Sequence, residues 1–350
     1  MIDLRSDTVT QPCSAMREAM ANAEVGDAVI DIDPTTERLE QLTAKILGKE
    51  AAIFMPSGSM TNQIAIRIHC QPGDEFLCEE GCHVYNYEQA AFAQLSGVVA
   101  RTIPGDYGIL RPEQFEGKIR PSNDHSVRTK LVCLENTHNR GAGRIQPYEY
   151  VRQICEWAHA HDVLTHLDGA RLFNAVVATG ISVADWCQHF DSVSVCFSKG
   201  LGAPVGSVLA GSEGFIRLAK RNRKLFGGGM RQSGIIAAGA LYALENNIPS
   251  LANDHAAAQI LAAAIREIEG LRLCPDAVDT NIVIFEVDPA IGSAHQLQAA
   301  LAEQGVAVLA FSERQVRAVT HRDVTPQQVQ EAADILKRVV SRSELSEATA

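Results

Sequence analysis

The sequence predicts an α/β fold: a mostly parallel seven-stranded sheet with helices on both faces, followed by a smaller C-terminal α+β domain. Three observations predict it. Short apolar runs alternate with amphipathic helical stretches from about residue 50 to 210, the pattern of a sheet with crossover helices. The last two of those runs are joined by too short a link for a parallel crossover. Beyond about residue 270 the order changes to strand, helix, strand, strand, helix.

The strand candidates of the large sheet are Ala51–Met55, Glu75–Cys78, Val98–Ile103, Lys130–Leu134, Val163–Leu167, Ser192–Phe197 and Val205–Ala210. Helix candidates lie between them, among them Thr61–His69 and Tyr148–His161. In the latter, Val151, Ile154, Cys155 and Ala158 fall on one face at helical spacing. Only the Gly-rich turn Ser198–Pro204 joins the last two strands. A parallel crossover needs about a dozen residues or more, so these two strands are expected to be antiparallel neighbours. Residues 213–270 read as helices, with Ala-rich runs at Ile235–Leu244 and Ala256–Ile268 and with Asp254 as a candidate cap for the second. In the last block Asn281–Val287, Val306–Leu309 and Gln315–Thr320 read as strands, and His295–Gln304 and Pro326–Val340 as helices. The polar tail after Arg342 is expected to fray. The chain thus divides into an N-terminal segment (1–20), a large domain (21–250) and a small domain (251–350).

Composition narrows the function classes. A 350-residue chain with 46% hydrophobic residues has ample core. A formal net charge of −11 argues against general affinity for nucleic acid or an anionic membrane. Met1 is followed at once by IDLRSDTVT, with no apolar leader-like run, and no apolar stretch approaches the ~20 residues of a membrane span. Nine scattered cysteines, with no CxxC pair, fit a reducing cytoplasm better than a disulfide framework. Cys78, Cys82 and His83 lack the closer ligand spacing of structural zinc, so no metal is expected.

Three motifs then carry chemistry. Pro56-Ser57-Gly58-Ser59 follows a strand and opens a helix; small residues there let backbone N–H groups approach a phosphate. Asp168 ends an apolar strand in Leu167-Asp168-Gly169-Ala170-Arg171, where open α/β sheets bind ligands. Lys199 follows a buried strand in Ser198-Lys199-Gly200-Leu201-Gly202, and a desolvated lysine there can form a Schiff base. Singly, each has an ordinary explanation: a cap, a loop ion pair, a solvated charge. Together they supply what a pyridoxal-5′-phosphate (PLP) enzyme needs: a phosphate anchor, an acid for the pyridine nitrogen, and an amine for the cofactor aldehyde.

These residues sit within longer segments: LRSDTVT (4–10), VGDAVIDIDPT (25–35), GKEAAIFMPSGSMTN (48–62), LENTHN (134–139), HLDGARLFNAVVATG (166–180), SKGLGAPVGSVLAG (198–211), GGGMRQSG (227–234) and VRAVTHRDVT (316–325). In these the chain resembles the L-threonine aldolases of the aspartate-aminotransferase-like fold, the fold type I PLP enzymes. The resemblance implies retro-aldol cleavage of L-threonine, L-allo-threonine and related β-hydroxy amino acids to glycine and an aldehyde. It implies that Lys199 bonds the cofactor, Asp168 pairs with the ring nitrogen, and Gly58, Ser59 and Ser198 hold the phosphate. His83 would stack on the ring and is the first candidate base, with His125 second. Arg171, Arg317 and Ser6 would bind the substrate carboxylate, Ser6 being brought in by the N-terminal segment. His125 would also read the substrate hydroxyl. Lys224 and Arg231 would reach a neighbouring subunit's cofactor region in a homotetramer built from dimers. The chain departs from the family at Ile30-Asp31, where Tyr-Gly is common, and at Arg140–Gly143, which reads as an insertion. PLP β-elimination is the alternative reaction.

Overall fold

The computed structural model describes residues 1–341; the tail after Arg342 lies outside the described residues. The chain begins with a two-residue strand, β1 (Ile2–Asp3), and then builds the large sheet from β2 (Ala51–Met55), β3 (Asp74–Glu79), β4 (Val99–Ile103), β5 (Arg128–Glu135), β6 (Leu164–Gly169), β7 (Ser192–Cys196) and β8 (Ser207–Gly211). Their spatial order is β2-β8-β7-β6-β5-β3-β4. Every neighbouring pair from β7 to β4 is parallel. Strand β8 runs antiparallel to both β7 and β2. The expected antiparallel pair is therefore present, for the expected reason: the link is too short to cross over.

Alternation along each strand explains the two helical layers. In β2, Ala52 and Phe54 join one core, whereas Ile53 and Met55 join another on the opposite face. In β5, Val132 and Leu134 point one way, and Leu131 and Cys133 the other. Successive side chains of a strand point to opposite faces, so a sheet apolar at every position must be covered twice. The helix Tyr148–Ala160 covers it on the first face with Val151, Ile154, Cys155 and Ala158, all buried, as their spacing predicts. The helix Gly58–His69 packs on the second face, with Ile64 and Ile66 fully buried. Burying a side chain of that size contributes about 1.5–3 kcal/mol.

The remaining strands are β9 (Leu271–Leu273), β10 (Ile282–Val287), β11 (Val306–Ala307), β12 (Leu309–Ala310) and β13 (Gln315–Val319). Four of them form an antiparallel sheet in the order β12-β13-β10-β9. Their core contains Val283, Phe285 and Val316, with the helices Ala294–Glu303 and Pro326–Ser341 packed on it. The run Val306–Leu309, expected as one strand, is two short ones in different sheets, and β11 pairs in parallel with β1. Thus Ile2 and Leu4 belong to the C-terminal core. That pairing fixes where the residues just after Leu4 can go.

Asp254 is not a cap. The helix begins at Leu251 after Ser250, and Asp254 lies buried in its first turn with Oδ2 lacking a partner. Burial, helped by nearby Asp7, pushes its carboxyl up to about 8.

Candidate active site

A cavity of about 270 Å³ opens where β2, β5, β6 and β7 end; its lining includes Gly58, Ser59, His83, Asp168, Arg171 and Lys199. This is the carboxyl edge of the sheet, where the loops after parallel strands converge.

At one end lies the start of the helix Gly58–His69. Ser57 caps it in extended conformation, its Oγ accepting from Met60 N at 3.3 Å. The remaining N–H groups of the first turn have no partners within the helix and favour an anion. Glycine is required at 58 by closeness: a Cβ there would lie 2.7 Å from Cys196 Sγ. Ser59 and Ser198 add hydroxyls at the same cavity.

In the middle, Asp168 is 3% exposed at the end of β6. Its Oδ2 accepts from Asn62 Nδ2 at 2.8 Å, and its Oδ1 from Ala170 N at 3.1 Å. Lys199 follows β7, in a turn closed by Gly202 N donating to its carbonyl at 2.8 Å. Thr10 Oγ1 donates to the same carbonyl at 2.8 Å. The Lys199 ammonium lies 3.9 Å from Cys196 Sγ and forms no ion pair among the described residues. His83 starts the helix His83–Asn86; its backbone N–H donates to Glu135 Oε2 at 2.6 Å, and its Nδ1 to Glu88 Oε1 at 2.9 Å. Glu135 Oε1 accepts from Asn139 N at 2.8 Å, which ties the two loops together.

At the far end are the arginines. Arg171 donates Nε and Nη2 to the two carboxylate oxygens of Asp7, both at 2.7 Å. Asp7 is fully buried and Arg171 nearly so. Burial would raise the Asp7 carboxyl, but the Arg171 guanidinium holds it well below the usual carboxylate range. Arg317, on β13, donates to Asn139 Oδ1 at 2.9 Å and to the Arg5 carbonyl at 3.3 Å, and its Nε has no partner. Burial, with Arg171 beside it, lowers its pKa to about 10. Arg171 lines the cavity and Arg317 meets it through Asn139; neighbouring cations of this kind favour a carboxylate.

Most of the residues expected from sequence come together here: Gly58, Ser59, His83, Asp168, Arg171, Ser198 and Lys199 line the cavity, and Arg317 meets Arg171 through Asn139. Ser6 stands next to Asp7, half-buried, its Oγ accepting from Thr8 Oγ1 at 2.8 Å. Ser6 and Arg317 are not among the lining residues, and His125, Lys224 and Arg231 lie away from the cavity. His125 is exposed in the loop before β5, while this chain's own cavity lies beyond the other end of that strand. At 3.3 Å per residue the strand alone separates them by roughly 20 Å or more. Lys224 is exposed near the end of the helix Glu213–Leu225, and Arg231 pairs with Asp27 at 2.9 Å. Ile30 is 80% exposed.

Four residues of the site went unread in the sequence: Asp7, Asn62, Glu88 and Asn139. Each signal was present but weak. Asp7 adjoins Ser6, Asn62 comes one helical turn after Gly58, Glu88 lies five residues after His83, and Asn139 ends LENTHN.

The cavity's fit to PLP rests on its own geometry. A capped helix start, a buried carboxylate at mid-cavity and an amine outside any ion pair are the three anchors that PLP requires.

Comparison with known proteins agrees. A beta-eliminating lyase family model matches residues 3–289. The low-specificity L-threonine aldolase 1 of Arabidopsis thaliana is 44% identical over 333 residues, covering 94% of this chain and 93% of that protein. The low specificity L-threonine aldolase of Escherichia coli (strain K12) is 43% identical, covering 95% and 97%. The solved structure of Leishmania major threonine aldolase has a TM-score of 0.81 at 20% identity, covering 97% of this chain and 100% of that one, a likeness of fold. With a family match over most of its length and relatives above 40% identity over nearly all of it, the chain belongs to the beta-eliminating lyase family, on its threonine aldolase branch.

Proposed function

We propose that this protein cleaves L-threonine, L-allo-threonine and related β-hydroxy amino acids to glycine and an aldehyde, using PLP. The observation that carries this is the convergence of Lys199, Asp168, Arg171 and the Gly58 helix start on one cavity, with Arg317 bonded to the cavity residue Asn139. Bound PLP supplies an electron sink for the breaking Cα–Cβ bond.

The chain's own residues do the rest. Lys199 would hold the cofactor through its ε-amine, and Asp168 would keep the ring nitrogen protonated. Gly58, Ser59 and Ser198 would anchor the phosphate, and His83 would pack against the cofactor. Arg171 and Arg317 take the substrate carboxylate, with Ser6 beside them. That clamp would hold the substrate in one orientation, so that a single bond at Cα is set up to break. His83 accepts the β-hydroxyl proton, a role typically worth about 10²–10⁴-fold.

Purified protein is tested with a panel of β-hydroxy amino acids. Stoichiometric glycine and aldehyde, from both threonine diastereomers, are expected. Pyruvate or oxobutyrate with ammonia would show β-elimination instead, the reading that the family's own description favours.

Asp168→Asn is expected to keep the fold and the cofactor, because the change is nearly isosteric. Turnover should drop by roughly 10²-fold, the scale for losing one preorganised electrostatic partner. Near-normal turnover in fully loaded protein rules out its role at the ring nitrogen.

Assembly belongs to the same reading. Lys224 and Arg231 are exposed and off their own chain's cavity, which supports a role at a neighbour's site in a dimer of dimers. Light scattering should find no active monomer. A cytoplasmic setting fits nine free thiols, and no described helix is long and apolar enough to cross a membrane.

A further inference from the structure

Behind the cavity a buried polar chain joins residues that the catalytic reading treats separately. Glu88 is 5% exposed. Its Oε1 accepts from His83 Nδ1 at 2.9 Å and from Asn62 Nδ2 at 2.9 Å, and its Oε2 from Gln63 Nε2 at 2.5 Å. The same Asn62 amide nitrogen donates to Asp168 Oδ2 at 2.8 Å. One amide group, with two hydrogens, thus bridges two buried carboxylates, one hydrogen to each. The Asn62 oxygen has its own donor, His166 Nε2 at 3.1 Å. Burial pushes His166 down to about 3, so this ring is neutral and carries its proton on Nε2. Its Nδ1 must then accept from Ser192 Oγ at 2.8 Å. Every hydrogen bond in the chain therefore has a fixed direction, which fixes the Asn62 amide as well.

We propose that Glu88 is a positioning residue for the reaction: it accepts the hydrogen bond of His83 Nδ1–H, which frees Nε2 to act as the base, and it is tied through Asn62 to Asp168. This rests on the functional reading above and deepens it. The carboxylate supplies what a histidine base needs, a single tautomer and a fixed ring. Without it the His83 side chain, about one-third exposed, would be free to flip. The bridge matters because Asp168 and Glu88 would otherwise repel each other in a buried space.

The charged groups facing His83 come from several elements. Glu88 follows its own short helix, Glu135 ends β5 and Asp168 ends β6; Arg171 and Lys199 line the same cavity. Burial favours the neutral ring, but the Glu88 hydrogen bond and the charges of Asp168, Glu88 and Glu135 outweigh it and raise the His83 pKa. Removing the Glu88 charge should therefore lower it. Removing Asn62 should raise it, since Oε1 then has one donor fewer to serve.

The test is the His83 titration, read by NMR in the holoenzyme and again without PLP, together with the pH profile of kcat/KM. E88Q should shift the His83 titration down by about one unit, and the acid limb of kcat/KM with it. N62A should shift it up, by less, and should alter the pH dependence of the cofactor's absorption band through Asp168. E88D, which keeps the charge, should stay nearer wild type than E88Q. A His83 titration unchanged in E88Q, or moved equally in E88Q and E88D, overturns the assignment. Should E88Q fail to fold, N62A decides it: a titration that stays put or moves down overturns the proposal. The titration needs no turnover. A panel that yields no glycine would sink the functional reading while leaving this result standing, and the converse holds too.

Discussion

Lys199→Ala is expected to yield folded protein that neither retains PLP covalently nor turns over substrate. The turn that carries Lys199 is set by its backbone: Gly202 N and Thr10 Oγ1 both donate to the Lys199 carbonyl. Neither bond involves the side chain, so truncation should leave the turn in place. What is lost is the amine outside any ion pair, beside Asp168 and the Gly58 helix start. The visible absorption band of the bound cofactor should disappear on gel filtration. Turnover should fall by more than the ~10²–10⁴-fold typical of a lost acid–base group, because the covalent attachment goes as well. A mutant that keeps both band and rate would falsify the cofactor assignment.

The second large effect is expected at Asp7, and it is one of stability as well as catalysis. Asp7 and Arg171 form a bidentate ion pair that excludes water. Removing one partner of a buried pair leaves the other charge uncompensated and typically costs about 3–5 kcal/mol. Asp7→Ala should accordingly lower the midpoint of urea unfolding clearly. It should also raise KM for the amino acid, since Arg171 loses the contact that aims it. The pH dependence follows from the sign of the shift. The Asp7 carboxyl is held below its ordinary value in the folded protein, so its stabilisation is fully present above the ordinary carboxylate range, near 3.9. It is lost as pH falls below that range toward the folded value. Wild type should therefore lose more stability than Asp7→Ala on acidification below about pH 4. Equal acid sensitivity of the two, with an unchanged urea midpoint, would remove Asp7 from this role.

By itself the sequence determined the sheet, the antiparallel end strand and the residues at the strand ends. These are local matters. Apolar alternation decides which face a residue of β2 or β5 covers, and the length of Ser198–Pro204 decides the direction of β8. Gly58, Asp168, Ser198 and Lys199 were readable because each sits directly at a strand end that the pattern had already located. The tertiary structure alone decided the rest. It brings Asp7 to Arg171 across 164 residues, by way of the β1–β11 pairing that no local signal announces. It puts Asn62 between Asp168 and Glu88, a matter of which helix face meets which strand end. It also carries His125 to the far edge of the sheet. A motif names a residue, but eight residues of β5 stand between that loop and the cavity, and a strand is a rigid spacer whose length no motif match takes into account. Burial completes the division: it makes the Asp7–Arg171 pair and the Asn62 bridge matter energetically, and it follows only from how distant segments pack.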